Sequence, residues 1–320
     1  MSIETGYTRD TIGKITGEGL RFIINQDETV KLSLTAMLAG GHVLIEGYPG
    51  LAKTLWARVL AKTLSCAFKR VQFTSDLMPS DVVGTRVFNM RDSVFEIKKG
   101  PLFTNLFLAD EINRTPPKTQ SALLEVMEER SITIDGETAV LPEPFIVFAT
   151  QNPLEFEGTY PLPEALVDRF MMRLDVGYPG VAAEKKILEM YDSGFLSRDL
   201  DQTDIKSVVT AGEFLACREE IQNVRVDDGV LNYIVSIVET TRRVSSVAIG
   251  ASPRGSVAML LAAKAYAAID GRDFVTPDDV RDLAPPVLRH RLILKPEQEI
   301  GGVKADSVIE HILSRVKVPR

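Results

Sequence analysis

The stretch from His42 to Leu55 constrains this chain more than any other. Its apolar run Val43-Leu44-Ile45 ends in a glycine-containing turn, Gly47-Tyr48-Pro49-Gly50-Leu51-Ala52-Lys53-Thr54, and a helical pattern follows. A strand, a glycine loop and a helix in this order form a P-loop, whose backbone N–H groups and helix N-terminus bind phosphate groups. The sequence therefore predicts a nucleotide site, in which Lys53 reaches the outer phosphates and the Thr54 hydroxyl binds magnesium.

The alternative is an ordinary strand-to-helix turn that happens to contain Lys-Thr. The second glycine of the P-loop pattern is replaced here by Ala52. Alanine tolerates a right-handed backbone but not a positive φ, so we expect an unusual backbone only at Gly47 and Gly50. Motifs further along the chain decide between the two interpretations.

Composition narrows the class of protein. The chain has 320 residues, enough for roughly two domains, and is 45% hydrophobic and 25% charged, as is typical of soluble globular proteins. No apolar run approaches the about 18 residues of a membrane span, and the polar start is not that of a signal peptide. Cys66 and Cys217 fit two buried thiols in a reducing cytoplasm better than a disulfide framework. We therefore expect a cytoplasmic protein with no membrane span.

Charge and histidine content narrow the ligands. The formal net charge of -7 argues against general nucleic-acid binding, although a local basic hairpin could still contact nucleic acid. His42, His290 and His311 show no ligand spacing, so a zinc site is not expected.

An acidic pair, Asp110 and Glu111, ends the apolar strand pattern Leu106–Ala109. Adjacent carboxylates at the end of a buried strand are costly unless a ligand uses them. In a P-loop enzyme the first acid binds magnesium, often through water, and the second orients the attacking water; the alternative is a chance acidic pair. Asn152 follows the apolar pattern Phe145–Thr150, where its amide orients water beside a γ-phosphate or simply belongs to an Asn-Pro turn.

Two hairpins are predicted around this site. Thr85–Asn89 and Ser93–Ile97 flank the turn Met90-Arg91-Asp92, and they form either a decorated surface loop or an insertion that projects toward a partner. Residues 131–140 form the second hairpin, with Asp135-Gly136 as its turn signal.

Strand and helix patterns alternate from residue 42 to 176, which predicts a largely parallel sheet with helices on both faces. Tyr178-Pro179-Gly180 is the expected hinge, and helical patterns dominate beyond it.

Two local expectations concern helix ends. Residues 8–24 are expected to form one helix, and Thr115 is expected to cap another in which Pro116 takes the first helical position.

Arg254 has an unusual expected position. Ser252 and Pro253 are typical of a helix start, which places Arg254 in the first turn, where a cation opposes the helix dipole. This placement favours an arginine that points at a phosphate across the gap between domains. The alternative is an arginine neutralised by a nearby acid.

Taken together, these motifs resemble those of the MoxR family of AAA+ ATPases over residues 20 to 295. The matching segments are Gly47–Thr54, Ala109-Asp110-Glu111-Ile112-Asn113-Arg114, Ser121–Glu129, Ala149-Thr150-Gln151-Asn152-Pro153, Gly158–Ala165, Asp168-Arg169-Phe170, Ser252-Pro253-Arg254 and Leu288-Arg289-His290-Arg291-Leu292. The family also has alanine at the position of Ala52. It has Gly-Gln where this chain has Asn25-Gln26.

The resemblance implies an α/β fold: an AAA+ P-loop NTPase core with a parallel sheet and helices on both faces (residues 1–178), followed by an all-α lid domain (residues 179–320). It implies ATP and Mg²⁺ as ligands. The site residues it implies are Gln26 and the loop from Gly47 to Leu55 around the nucleotide, Lys53 and Thr54 of Walker A, Asp110 and Glu111 of Walker B, Asn152 as sensor 1, Arg169 as the arginine finger and Arg254 as sensor 2.

Thr54 and Asp110 are the implied magnesium ligands, and Arg114 is a second candidate for a contact across a subunit interface. An arginine supplied by a neighbouring subunit neutralises charge on the transferred phosphoryl group, so a monomer should be a poor ATPase. The resemblance further implies a homo-oligomeric ring, a hexamer, that remodels a client protein together with a partner containing a von Willebrand factor A domain. The hairpins at 84–98 and 131–140 are similar to the helix-2 insert and the pre-sensor-1 hairpin, which face the centre of the ring.

Two other functions stay open. The first is a nucleic-acid motor, since related AAA+ helicases carry the same two hairpins; loss of DNA-stimulated turnover on changing Lys98 and Lys99 to alanine would favour it. The second is an ATP-gated scaffold with little hydrolysis, against which Glu111 argues. A Glu111→Gln variant with unaltered partner binding and no phenotype would favour the scaffold.

Overall fold

The computed structural model describes residues 6–48, 50–51, 53–152, 158–195, 200 and 203–319. Its strands, in chain order, are β1 (His42–Gly47), β2 (Phe68–Gln72), β3 (Gly84–Asn89), β4 (Val94–Lys99), β5 (Leu106–Asp110), β6 (Ser131–Ile134), β7 (Glu137–Val140), β8 (Ile146–Gln151), β9 (Phe170–Val176), β10 (Val247–Ile249) and β11 (Ile293–Leu294). Its helices are α1 (Tyr7–Gly19), α2 (Asp27–Leu38), α3 (Lys53–Thr63), α4 (Pro79–Val83), α5 (Pro117–Glu129), α6 (Glu164–Val167), α7 (Val181–Asp192), α8 (Ala211–Gln222), α9 (Asp228–Thr241), α10 (Pro253–Ile269), α11 (Pro277–Leu288), α12 (Pro296–Ile300) and α13 (Ala305–Arg315).

Five parallel strands form the central sheet, in the order β2-β5-β8-β1-β9. The register places Leu44 beside Ala149 on β8, and Leu108 of β5 beside Phe148. In a parallel sheet all carboxyl ends lie at one edge, which is where α/β proteins bind ligands. The chain therefore brings the ends of β5, β8 and β1 next to one another.

The two faces of the sheet belong to two separate hydrophobic clusters. Val43 and Ile45 pack in the cluster that contains α2 and α3, whereas Leu44 packs in the cluster that contains α5. On β5, Leu108 packs in the first of these clusters and Phe107 in the second. Successive side chains of a strand point to opposite faces, so strands that are apolar throughout require helices on both faces. The predicted architecture is confirmed.

Two local expectations were wrong. The first helix ends at Gly19, not near residue 24. The expected cap at Thr115 is also absent: Pro116 is the N-cap residue, and α5 begins at Pro117 without a side-chain cap. The helix therefore begins one position later than expected. Either proline suits the first helical position, because each lacks the N–H that has no partner there.

The part of the chain after residue 178 is helical, with one short antiparallel ribbon of β10 and β11. At the start of α11 the Thr276 hydroxyl accepts the Asp279 N–H at 3.3 Å and caps the helix. The α1 and α2 helices pack against α8 and α10, so the N-terminal helices contact both the sheet and the C-terminal helices. Glu220 of α8 accepts the Thr8 N–H at 2.7 Å.

Two further expectations concern membranes and thiols. In the part of the chain that the structure describes, no helix combines the length and the apolar character needed to cross a bilayer. Cys66 and Cys217 are both free thiols; Cys217 is buried as expected, whereas Cys66 is only half-buried.

His42, at the start of β1, is held as a neutral ring. The Val147 N–H donates to His42 Nδ1 at 3.0 Å, which leaves the ring proton on Nε2, 3.4 Å from the Met127 carbonyl oxygen. Burial lowers the pKa of His42 to about 4, and the nearby charges of Arg130 and Arg218 contribute to the shift.

This buried histidine makes the stability of the fold depend on pH. Between its ordinary pKa of 6.5 and a folded pKa of about 4, the unfolded chain binds a proton at His42 that the folded chain does not. We therefore expect the free energy of unfolding to fall by about 2 kcal/mol from neutral pH to about pH 5 through this residue. Urea unfolding of the wild type and of His42→Asn at both pH values measures it. The asparagine oxygen can still accept the Val147 N–H, so an equally steep pH dependence in the variant would contradict this account.

Candidate functional site

A cavity of about 700 Å³ lies at the carboxyl ends of β5, β8 and β1. Its walls come from both sides of the expected hinge, since α7 contributes as well as the sheet. The polar side chains that line it are Gln26, Lys53, Thr54, Arg58, Arg70, Asp110, Glu111, Thr150 and Asn152. The strand order thus brings the P-loop, the acidic pair and the amide at the end of β8 to one space.

The acidic pair is fixed by a threonine on the neighbouring strand. The Thr150 hydroxyl donates to Asp110 Oδ1 at 2.5 Å and accepts the Glu111 N–H at 2.9 Å. Asp110 is 9% exposed, so this contact also satisfies a nearly buried carboxylate oxygen. Thr150 therefore sets the position of both acids relative to β8.

Arg70 of β2 occupies the other oxygen of Asp110. Its Nε and Nη2 donate to Asp110 Oδ2 at 2.9 and 2.6 Å, and Nη2 also donates to Gln72 Oε1 at 3.0 Å. This arginine was not predicted from the sequence. Arg70 could have been recognised as a cation on the strand next to the acidic pair, but only once β2 was known to adjoin β5.

Glu111 has a left-handed backbone with a φ of 57°. This conformation turns the chain sharply at the end of β5 and is uncommon for residues other than glycine. The Glu111 carboxylate pairs with Arg114, whose Nε lies 3.0 Å from Oε2. In the single chain Arg114, the second candidate for an intersubunit contact, thus touches its own Glu111.

The P-loop glycines are required for two different reasons. Gly50 has a φ of +84°, which residues that carry a Cβ rarely adopt. Space is not the reason for glycine there, since no atom lies within 4 Å of the place where a Cβ would be. The unusual backbone expected at Gly47 is not observed, because Gly47 is the last residue of β1; glycine is required there for space, since a Cβ would lie 2.6 Å from the Val176 carbonyl oxygen on the adjacent strand. The Lys53 Nζ donates to the Gly47 carbonyl at 2.6 Å, so the lysine lies folded back over the loop.

The cavity contains most, though not all, of the residues expected to bind nucleotide. Gly47 and Tyr48 do not line it, and Pro49 and Ala52 lie outside the described residues. The Tyr48 ring stacks on Tyr178 at the hinge, with ring centroids 5.0 Å apart. The expected residues that do line the cavity are Gln26, Gly50, Leu51, Lys53, Thr54 and Leu55.

The apolar half of the cavity was not predicted. It is lined by Phe22, Ile23 and Ile24 and, on the other side, by Ile187, Met190, Tyr191 and Phe195. The Phe22 and Phe195 rings lie 5.9 Å apart and join the two groups. An apolar slot beside a phosphate loop suits a planar base. Asn25 has a φ of 57°, which explains why glycine is suited to this position and asparagine is tolerated there.

Arg169 and Arg254, the two expected arginines, lie away from this cavity. Among the described residues that line the cavity, the cations are Lys53, Arg58 and Arg70. Arg169 pairs with Glu128, and Arg254 Nη2 lies 3.6 Å from the same carboxylate. Arg254 does not face the cavity of its own chain, because the N-terminus of α10 is held on the α5 side.

Asp168 holds that helix end in place. Its Oδ2 accepts the Ser252 hydroxyl at 3.0 Å, and its Oδ1 accepts Arg291 Nε at 2.9 Å. The Ser252 hydroxyl also accepts the Arg254 N–H at 3.2 Å, so Ser252 caps α10 as predicted. Arg291, whose side chain is 3% exposed, donates further to the Phe170 and Met171 carbonyls.

The oxygen donors at the cavity fit magnesium. A threonine hydroxyl (Thr54) and a carboxylate (Asp110) are the hard ligands that Mg²⁺ prefers when it also binds water and substrate phosphates. In the described part of the chain, no cluster of three or more His, Cys, Asp or Glu residues could hold a metal by itself. An ion at Asp110 would have to share or replace the Arg70 contact.

Comparisons with known proteins agree with this architecture. The model described as "ATPase family associated with various cellular activities (AAA)" matches residues 42–172, and the AAA lid domain model matches residues 239–312. The protein YeaC of Bacillus subtilis is 48% identical over 308 residues, which cover 96% of this chain and 95% of YeaC. Chaperone MoxR1 of Mycobacterium tuberculosis is 41% identical over 319 residues, which cover 97% of this chain and 83% of MoxR1.

A solved structure has the same fold. The crystal structure of a provisionally assigned ATPase from Cytophaga hutchinsonii superposes with a TM-score of 0.90 at 40% sequence identity. The match covers 98% of this chain and 96% of that one. The two proteins therefore share the fold of the sheet and of the C-terminal helices.

Proposed function

The chain belongs to the MoxR family of AAA+ ATPases, and from this premise we propose that it hydrolyses ATP to ADP and phosphate in a homo-oligomeric ring, a hexamer. The observation that carries the proposal is how the charged groups are distributed. Lys53, Asp110 and Glu111 line one cavity, whereas Arg169 and Arg254 lie together outside it. A site that is completed by the arginines of a neighbouring copy accounts for both facts.

Substrate binding follows from the P-loop and the apolar slot. The backbone around Gly50 and the N-terminus of α3 would face the phosphates, and Lys53 would exchange its Gly47 carbonyl contact for the outer phosphates. Thr54 and Asp110 would hold Mg²⁺, which neutralises charge on the β- and γ-phosphates when bound. The base would lie in the slot that Phe22 and Phe195 join.

Water activation is proposed for Glu111. Its carboxylate would accept a hydrogen bond from the attacking water, and Asn152 would orient that water beside the γ-phosphate. The contact between Glu111 and Arg114 would open for this, because the guanidinium occupies a carboxylate oxygen that would face the water. Thr150 would keep both acids in place while this happens.

The proposed output is the remodelling of a client protein, together with a partner that contains a von Willebrand factor A domain. Two exposed hairpins support a protein as the target. Phe88, Met90 and Phe95 of the β3–β4 hairpin are at least half exposed, and Arg86 lies 3.5 Å from Glu137 on the β6–β7 hairpin. Exposed apolar groups of this kind are typical of protein contacts rather than phosphate contacts.

The division of the chain at residue 178 and a cytoplasmic location stay predictions.

The first experiment is ATP turnover against protein concentration for the wild type, Glu111→Gln, Arg169→Ala and an equal mixture of the two variants. We expect the specific activity of the wild type to rise with concentration and each variant to be inactive. The mixture should regain about a quarter of the wild-type activity if subunits assemble at random, because a quarter of the interfaces then combine an intact acid with an intact arginine. Concentration-independent turnover with a fully active Arg169→Ala would rule out a shared site.

A further inference from the structure

Glu128 lies between two arginines from distant parts of the chain. Its Oε2 pairs with Arg169 Nη2, and its Oε1 lies 3.6 Å from Arg254 Nη2. Arg169 lies just before β9, whereas Arg254 is in the first turn of α10. One carboxylate therefore contacts both arginines that are absent from the cavity of their own chain.

The local helix ends explain why these charges meet. Glu128 is in the last turn of α5, where a negative charge opposes the helix dipole, and Arg254 is in the first turn of α10, where a positive charge does the same. Each placement is unfavourable on its own and is offset when the two charges lie together. The side chains of Glu128 and Arg254 are 41% and 53% exposed, so their contact adds little to stability. Its main consequence is the orientation of the guanidinium groups.

Asp168 makes the arrangement rigid on the other side. It binds the Ser252 hydroxyl at 3.0 Å, and its Oδ2 lies 4.0 Å from Arg254 Nη1. Because Asp168 is adjacent to Arg169 in the chain, the start of α10 cannot move without moving the segment that carries Arg169. The spacing of the two guanidinium groups is then set by Glu128, which faces one with each oxygen.

We propose that Glu128 is a positioning residue that presents Arg169 and Arg254 as a pair to the nucleotide of the neighbouring subunit. The inference rests on the proposed shared site. Two guanidinium groups repel each other at short range unless an anion lies between them. Without the carboxylate, the more exposed Arg254 turns away, and only one arginine reaches the γ-phosphate. The residue acts through the arginines and does not itself touch ATP.

The test compares Glu128→Gln with Glu129→Gln, the same change one residue further along α5. For Glu128→Gln we expect kcat to fall between about tenfold and a hundredfold, the range that misplacement of a transition-state group produces. The KM for ATP should stay within about twofold, because ground-state binding depends on the cavity rather than on the arginines. Glu129→Gln should match the wild type in both constants, and the melting temperatures of all three proteins should agree.

Mixtures of variants show whether Glu128 positions the arginines that its subunit donates or acts in the nucleotide site of its own subunit. Glu128→Gln mixed with Glu111→Gln should regain activity, because the Glu111→Gln subunit donates two well-placed arginines to an intact acid. Glu128→Gln mixed with Arg169→Ala should not exceed the activity of Glu128→Gln alone, because neither subunit donates a working pair. A wild-type kcat for Glu128→Gln, or recovery with Arg169→Ala instead of Glu111→Gln, overturns the inference.

A further mixture distinguishes failure of this inference from failure of the proposed function. Glu111→Gln with Arg169→Ala tests the shared site without involving Glu128. If that mixture stays inactive, the shared site and the role of Glu128 are both wrong. If it recovers while Glu128→Gln behaves as the wild type, only the role of Glu128 is wrong.

Discussion

The Glu111→Gln variant should turn over ATP at least about a hundredfold more slowly than the wild type, because an amide cannot accept a proton from the attacking water. The change should leave the loop intact. Glutamine tolerates the φ of 57° as well as glutamate does, and the N–H of residue 111 still reaches the Thr150 hydroxyl. Nucleotide binding should therefore persist. Steady-state phosphate release and titration with a fluorescent ATP analogue measure the two quantities separately.

Glu129→Gln is the matched control for this change, since Glu129 is an exposed carboxylate at the end of α5. We expect it to keep wild-type turnover and nucleotide affinity. If Glu111→Gln retains more than about a tenth of the wild-type turnover, Glu111 is not the group that activates water. If the wild type itself barely hydrolyses ATP at any concentration, the ATP-gated scaffold becomes the better account.

The second large effect concerns stability and is expected from Arg291→Met. The Arg291 guanidinium is buried, and it donates to the Asp168 carboxylate and to the Phe170 and Met171 carbonyls. Burial lowers the pKa of Arg291, and pairing with Asp168 offsets part of that shift. Methionine has a similar length but no donors, so Asp168 Oδ1 and the Phe170 and Met171 carbonyls lose the hydrogen bonds that Arg291 supplies. We expect the free energy of unfolding to fall by about 3–5 kcal/mol, measured by urea denaturation.

Arg225→Met provides the comparison for an exposed ion pair. The side chains of Arg225 and Asp273 are 74% and 53% exposed and lie 2.9 Å apart. Water replaces the lost partner there, so the cost should stay below about 1 kcal/mol. A similar loss in both variants would show that burial of Arg291 does not determine its contribution.

In the structure a cation lies beside each acid of the pair Asp110 and Glu111. Arg70 contacts Asp110 and Arg114 contacts Glu111, while Glu128 contacts Arg169 and Arg254. These charges are the ones that ATP, magnesium and a neighbouring subunit are proposed to use. In a single chain they neutralise one another, and we therefore expect an isolated subunit to be a poor ATPase.

The sequence by itself determined the chemistry that depends on neighbours along the chain. The P-loop, the acidic pair after β5 and the cap of α10 are each encoded by a few adjacent residues, because backbone conformation and hydrogen bonding are local there. The parallel sheet could also be predicted from the sequence, since apolar strands that alternate with helices can pack in few other arrangements. The errors were local as well: α1 ends before the expected residue, and α5 begins one residue later than expected, where two prolines follow each other.

Only the tertiary structure decided which distant residues meet. Arg70 lies beside Asp110 because β2 adjoins β5, and no local pattern encodes that order. The apolar slot joins Phe22 to Phe195, and Glu128 joins Arg169 to Arg254. Such contacts depend on how helices and strands pack, and packing is set by the shape of the whole core rather than by any segment of it. The partners of a charge could be predicted from the sequence only where they are neighbours in the chain.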